Sequence, residues 1–339
     1  MGQNIVKLGI LGAGICANNF HLPALKTLGD YYELVAMASG SIEQNKSYCE
    51  KTGISRSYTD YKDLINDPNV EAVIASYPYA LNEELLRAAK AAGKHILVEK
   101  PIAENIEKGM RCAALDDGTI VMGVAENWLW WDVINVINEQ LANGSIGNVH
   151  HMQLFSYYNM DLDSEYLRDN AWRRTATGGM ILDRTIHTAA LARAIFGPVA
   201  RASGLNCGIR EELGKTDTVS TLLVYESGLI GGILNSASAP GVGVEHNMII
   251  LGTKGTISVQ DRFQKVVVTN HKGTQTFIAD NGDGGYRSEF LDFHKAITEQ
   301  VAFKSDLKSA CNDLFTVLTA LEYPGEWKDY KSLEQHCYD

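Results

Sequence analysis

Leu8-Gly9-Ile10-Leu11-Gly12-Ala13-Gly14-Ile15-Cys16-Ala17, near the start of the 339-residue chain, decides how the rest is read. An apolar run of strand length ends on the spacing G-x-G-x-x-A and passes into a helical period over residues 15–28. In that context each small residue has a physical task. Gly12 permits a tight turn, Gly14 lets a ligand approach the backbone, and Ala17 lets the helix pack close to the strand. The helix start offers unpaired N–H groups and the positive end of a dipole, which suits a pyrophosphate. The alternative is an ordinary glycine-rich turn; the strand before the loop and the helix after it favour dinucleotide binding.

Downstream, short apolar runs alternate with helical periods. Strands are expected at residues 5–11, 33–38, near Tyr58, 70–76, 95–99 and 120–125, and helices at 43–51, 61–65, 81–92 and 106–115. Several of the helices are closed by a glycine such as Gly53 or Gly93. This rhythm builds a parallel sheet covered by helices. After a helix at 131–141, stopped by Asn143-Gly144, the texture changes to period-two strands at 150–158, 218–225, 229–236, 248–251, 256–259 and 266–269, read as one antiparallel sheet. Helices are expected with it at 179–196, 289–300 and 307–321. The expected organisation is therefore α/β. A Rossmann dinucleotide-binding domain spans 1–125 and an α+β domain with a large open, mainly antiparallel sheet spans 126–339. With no flexible linker at that boundary, a cleft between the domains is the expected ligand site.

Composition narrows the function. Hydrophobic residues make up 45% and charged residues 21%, the balance of a folded globular chain. Thirty basic against 41 acidic side chains leave a formal charge of −11, which argues against nucleic acid and anionic lipid as partners. Cys16, Cys49, Cys112, Cys207, Cys311 and Cys337 form no C-x-x-C pair, so neither a zinc knuckle nor a compact disulfide framework is expected. Neither a signal peptide nor a membrane span is expected. Val6 stands where a myristoylation motif needs Ser or Thr, and Cys337-Tyr338-Asp339 is too short for prenylation. The expected location is the cytoplasm. Asn143-Gly144-Ser145 matches a glycosylation acceptor and is read as a helix stop.

Further stretches carry chemistry. A loop that reads an NAD ribose usually ends its second strand on a carboxylate. This chain has Ala38-Ser39-Gly40-Ser41 there; Ser39, Ser41 and Lys46 could donate to a 2′-phosphate, so NADP is slightly favoured over NAD. Small polar residues at that place are also simple turn formers. Lys100, in Glu99-Lys100-Pro101 at the end of the fifth strand, can hydrogen-bond a reacting hydroxyl and ease loss of its proton; a surface pair with Glu99 is the alternative. Asp183 and His187 lie four residues apart on one helix face. The imidazole can exchange a proton with a substrate oxygen while the carboxylate orients it, although such pairs are also common structural bonds. Two residues are too few to hold zinc, and no metal is expected. Trp128, Trp130, Trp131, Tyr157 and Tyr158 are mostly core, with one or two available to stack on a sugar ring.

Taken together the chain resembles the glucose–fructose oxidoreductase, inositol dehydrogenase and MocA (Gfo/Idh/MocA) family of nicotinamide-dependent oxidoreductases. The matching stretches are Leu8 to Gly14, His21-Leu22-Pro23-Ala24-Leu25, Gly93 to Pro101, Ala125-Glu126-Asn127, Gly144-Ser145-Ile146-Gly147, Ala171-Trp172-Arg173, and Gly178-Gly179 through Asp183 to His187. The resemblance implies Lys100, Asp183 and His187 as the catalytic set, with His187 as acid and base. It implies cofactor contacts from Gly12, Gly14, Ile15, Ser39, Gly40, Ser41, Lys46, Tyr77, Pro78, Asn82, Glu99, Lys100 and Asn127. Substrate contacts would come from Lys100, Tyr157, Trp172, Arg173, Asp183 and His187. It also implies a homodimer or homotetramer assembled through the C-terminal sheet. Some positions depart from the family. Tyr77-Pro78-Tyr79 and Asn82 stand where members usually carry Thr-Pro-Asn and then His, Thr185 replaces a glycine, and Ala190 replaces an Asp.

The expected activity is NAD(P)-dependent hydride transfer on a sugar, polyol or glycoside carbon. Alternatives are a tightly held cofactor that cycles hydride internally, a dihydrodiol dehydrogenase-like reductase, and a non-catalytic dinucleotide sensor.

Overall fold

A computed structural model describes residues 4–168, 172–176, 178–241 and 243–336, apart from the side chains of Trp172 and His336. Its first sheet consists of β1 (Val6–Leu11), β2 (Tyr32–Ala38), β3 (Ser57–Tyr58), β4 (Ala72–Ala75), β5 (His95–Glu99) and β6 (Met122–Ala125). The strands are parallel in the order β3-β2-β1-β4-β5-β6. Helices cover both faces, so β4 and β6 are buried at every residue rather than alternately. The order reverses between β1 and β4, which is where doubly wound sheets bind ligands. Register aligns the strand ends: Leu11 pairs with Ala38 and Ala75, Ala75 with Val98, and Glu99 with Ala125. Gly12, Ser39, Ser76, Lys100 and Glu126 therefore follow the strands along one carboxyl edge.

The helix after the loop is not the uniform 15–28 helix expected. Ala17–His21 is wound as a π-helix before Leu22–Lys26 continues as α. Pro23 has no N–H to return to Asn19, and the Asn18 amide donates to the carbonyls of Ala13 (2.7 Å) and Gly14 (3.1 Å), so the winding loosens there.

This unit takes in residues 4–103, 108–127 and 285–310. The last stretch includes the helix Tyr286–Glu299 and returns to the sheet late in the chain, which the expected boundary at 125 did not provide for. Tyr32 donates to the Phe290 carbonyl at 2.6 Å, and the Val124 N–H donates to the Ser305 carbonyl at 3.0 Å.

The second unit is built on a nine-stranded sheet. Its strands are β7 (Val149–Tyr157), β8 (Val199–Cys207), β9 (Thr218–Tyr225), β10 (Ile230–Ser236), β11 (Glu245–Gly252), β12 (Gly255–Gln260), β13 (Lys265–Asn270), β14 (Gly273–Ile278) and β15 (Lys328–Asp329). The order is β14-β13-β12-β11-β7-β10-β9-β8-β15. Every pair is antiparallel except β7 with β10. One face is buried under the helix Gly179–Phe196, with Met152 and Leu154 of β7, Leu223 of β9, Ile233 of β10 and Met248 of β11 in the core. The other face keeps Leu222, Ile230 and Ile249 exposed, at 58%, 54% and 43%. No helix among the described residues is long and apolar enough to cross a membrane.

Candidate active site

At the carboxyl edge of the first sheet, Gly12 has φ +91°, and a Cβ on it would sit 2.7 Å from the Ser76 carbonyl oxygen. Only glycine fits. Its N–H donates to the Ala38 carbonyl at 2.7 Å. Gly14 is the reverse case. It is exposed, and a Cβ there would meet nothing within 4 Å, so its backbone is open to a ligand. This cradle, with half-buried Ile15 beside it, fits a dinucleotide pyrophosphate.

The end of β2 departs from expectation. Ser39 is turned inward at 2% exposure, its hydroxyl donating to Asn45 Oδ1 at 2.7 Å. Ser41 caps the helix Ile42–Thr52 by accepting the Gln44 N–H at 3.2 Å, and its hydroxyl donates to Glu43 Oε2 at 2.9 Å. Those bonds, the backbone N–H of Glu43 and the Ser41 hydroxyl, hold the Glu43 carboxyl below its ordinary value. A carboxylate thus stands where the strand end itself has none. Gly40 and Lys46 remain exposed.

Around Lys100 the backbone is held from below. Asn82 is fully buried, and its Nδ2 donates to the carbonyls of Glu99 (2.8 Å), Pro101 (3.0 Å) and Ile102 (3.3 Å). Asn82, expected as a cofactor contact, clamps the turn that carries Lys100. Glu99 is also inside, with Oε2 accepting the Lys100 N–H at 3.2 Å and Oε1 lying 3.0 Å from His21 Nε2. His21 Nε2 has no partner in hydrogen-bonding geometry among the described residues. His21 Nδ1 meets Ser76 Oγ at 3.2 Å. The sequence marks His21 only as part of a family-matching stretch and gives it no role at the site; its partners Ser76 and Glu99 come from distant parts of the chain. Tyr77 is half-buried, with burial raising its hydroxyl above the ordinary tyrosine value; Pro78 is exposed and Tyr79 buried. Asn127 is buried at 6%.

In the second unit Gly179 has φ +47°, and a Cβ on it would come 2.6 Å from the Arg173 carbonyl. That close approach brings Arg173 to the helix Gly179–Phe196, where its Nε donates to Asp183 Oδ2 at 3.1 Å, with both side chains buried. His187, one turn on, stacks with Trp128 at 4.9 Å and 13°, and Trp128 stacks with Trp131 at 4.0 Å. His246 meets Trp128 edge-on at 5.4 Å, stacks on Phe263 at 5.6 Å, and shares a 2.8 Å bond with Ser156 Oγ. Burial, helped by the charges of Arg184, His187 and Arg262, pushes the His246 imidazole down to about 4, so it stays neutral at physiological pH. Neither His246 nor Ser156 was anticipated, because register alone makes them neighbours.

Tyr157 alternates with Ser156 and so points to the other face of the sheet from the His246 cluster. The tyrosine on the cluster side is Tyr158, with the Arg184 guanidinium 4.4 Å from its ring centre. Trp172 begins the short helix Trp172–Thr175, but its side chain, like all of Ala171, lies outside the described residues. Among the described residues no group of three potential ligands could hold a metal.

Residues 6–122 match the oxidoreductase family with an NAD-binding Rossmann fold, and residues 134–258 match the GFO/IDH/MocA C-terminal domain. The chain belongs to the Gfo/Idh/MocA family. It is therefore an NAD(P)-dependent oxidoreductase with the α/β architecture expected from its sequence. Among relatives of this family member, myo-inositol 2-dehydrogenase of Thermotoga maritima is 29% identical, covering 79% of each chain. The 1,5-anhydro-D-fructose reductase of Ensifer adhaerens is 29% identical over 86% of this chain and 88% of its own. An oxidoreductase from Thermotoga maritima superposes with a TM-score of 0.89 at 27% identity, over 97% of this chain and all of that one.

Proposed function

We propose that this Gfo/Idh/MocA member interconverts a secondary alcohol and a ketone, or a hemiacetal and a lactone, on a sugar or polyol. The inositol and anhydrofructose enzymes among its relatives support that substrate class. The observation that carries the reading is the helix face on which Asp183, fixed by Arg173, stands one turn from the stacked imidazole of His187. When bound, the dinucleotide supplies nicotinamide C4 as hydride acceptor or donor. His187 takes the hydroxyl proton as the C–H bond gives up its hydride, and returns it in reduction. Lys100, on the turn clamped by Asn82, hydrogen-bonds the same oxygen and stabilises its developing charge. Asp183 orients the oxygen. Replacing Lys100 by Met or His187 by Asn is expected to cut kcat by about 100-fold or more. Near-normal turnover of a sugar panel by either variant would refute its assigned role.

For the cofactor, inward-turned Ser39 and the Glu43 carboxylate on Ser41 support NAD in place of the NADP expected from the strand end. Calorimetry should show NAD binding at least about tenfold tighter than NADP, with Glu43→Gln narrowing the gap. Tighter NADP binding would restore the first expectation.

A further inference from the structure

Charges around the start of the helix Gly179–Phe196 do not balance among the described residues. Asp183 is taken by Arg173 at 3.1 Å. Asp217 is held by the hydroxyls of Ser238 (2.6 Å) and Thr218 (3.0 Å) and by the N–H groups of Ile209 and Arg210. Arg184 is left with the Tyr158 ring alone, and no carboxylate among the described residues pairs with it. The Tyr158 hydroxyl beside it, on a side chain only 5% exposed, has no hydrogen-bond partner among them either.

A half-buried guanidinium with no counter-charge, and a buried hydroxyl with no partner, among the described residues are both costly unless another group completes them. Arg184 lies three residues before His187, so the two side chains are neighbours on one helix face. A cationic spot on a chain of net charge −11 is selective for anions at that place. The guanidinium fork fits a carboxylate or a phosphate equally well.

We propose that Arg184 binds an anionic substituent of the substrate, with the Tyr158 hydroxyl beside it, so that the preferred substrates are sugars or polyols bearing a carboxylate or a phosphate ester. This deepens the reading above and rests on His187 acting at the reacting oxygen. Turnover itself needs no new step: hydride leaves the carbon for the dinucleotide, the hydroxyl proton goes to His187, and the anion is unchanged.

The test uses the full chain with dinucleotide added. Each neutral aldose or polyol is compared with its matching sugar acid and its phosphate monoester, which separates the two sources of negative charge. The kcat/KM of one anionic member should exceed that of its neutral partner by about tenfold or more, and Arg184→Gln should lower this ratio by about tenfold or more. Arg184→Lys, which keeps the charge without the fork, should retain part of the ratio and guards against a Gln variant that does not fold. A second readout is calorimetric binding of a non-reacting deoxy sugar acid to the dinucleotide-loaded protein, expected to weaken about tenfold in Arg184→Gln.

Dinucleotide alone should bind wild type and Arg184→Gln alike. Weaker dinucleotide binding in that variant would assign Arg184 to the cofactor and overturn the proposal. So would an anionic-to-neutral ratio that the substitution leaves unchanged, while the dehydrogenase reading would stand on turnover of either sugar. If wild-type protein turned over no sugar of either charge, that reading would fall, and deoxy sugar acid binding would still decide the role of Arg184.

Discussion

Two glycines two residues apart make opposite demands. Gly12 is required by the fold, since a methyl group there meets the Ser76 carbonyl at 2.7 Å and φ is +91°. Gly14 is required only by what approaches it, because a methyl group there meets no protein atom within 4 Å. Gly12→Ala should therefore lower the melting temperature of dinucleotide-free protein, at a cost of about 1–3 kcal/mol, whereas Gly14→Ala should leave it in place and weaken dinucleotide binding about tenfold or more. Equal melting losses in both would contradict this. His246 makes a pH prediction. Its folded value of about 4 lies below the ordinary 6.5, so the unfolded chain binds more protons between those values and stability falls as pH drops through that window. The loss approaches roughly 3 kcal/mol below pH about 4. Chemical denaturation of wild type and His246→Gln should show the slope in the first and a flatter profile in the second; identical slopes would remove His246 as its source.

The strands that were legible have clean alternation. Thr218–Tyr225 buries Val219, Thr221, Leu223 and Tyr225 and turns Ser220 and Leu222 outward, and its bounds were read to the residue. The helix Gly179–Phe196 was likewise delimited by Gly178 and Gly197. What was missed has weaker physics. β8 mixes Ala, Ser, Gly and Asn, and β14 is a sheet edge exposed along nearly its whole length, so neither shows a hydrophobic period. The site followed the same division. Gly12, Lys100, Asp183 and His187 sit in local motifs, while His21, Ser156 and His246 acquire their partners only from topology. The turn between β12 and β13 is another such case. Asp261, Arg262 and Phe263 have φ of 52°, 56° and 65°, a run of left-handed residues that costs about 1–2 kcal/mol each. Burial of Phe263 against His246, Trp128 and Trp131 offsets that cost. Phe263→Ala should accordingly destabilise the protein by about 3 kcal/mol or more in urea unfolding; a loss below 1 kcal/mol, roughly an exposed-site effect, would show the ring is not what holds the turn.

At the scale of the molecule, the open face of the nine-stranded sheet aligns Leu222 with Gly232, Gln153 and Ile249 across four strands. We propose that a second copy of the chain covers this face, on which Leu222, Ile230 and Ile249 stand exposed. Sedimentation should give at least twice the chain mass, and Leu222→Lys with Ile249→Glu should shift it to the monomer; a monomeric wild type would overturn the assembly. The central claim, that His187 serves a hydride transfer, is tested most directly by single-turnover stopped flow on protein loaded with oxidised dinucleotide and mixed with polyols and sugar acids. The rate of reduced-nicotinamide absorbance should fall by about 100-fold or more in His187→Asn while dinucleotide affinity is retained. An equal rate in the variant, or no absorbance change with any substrate in wild type, would contradict the account.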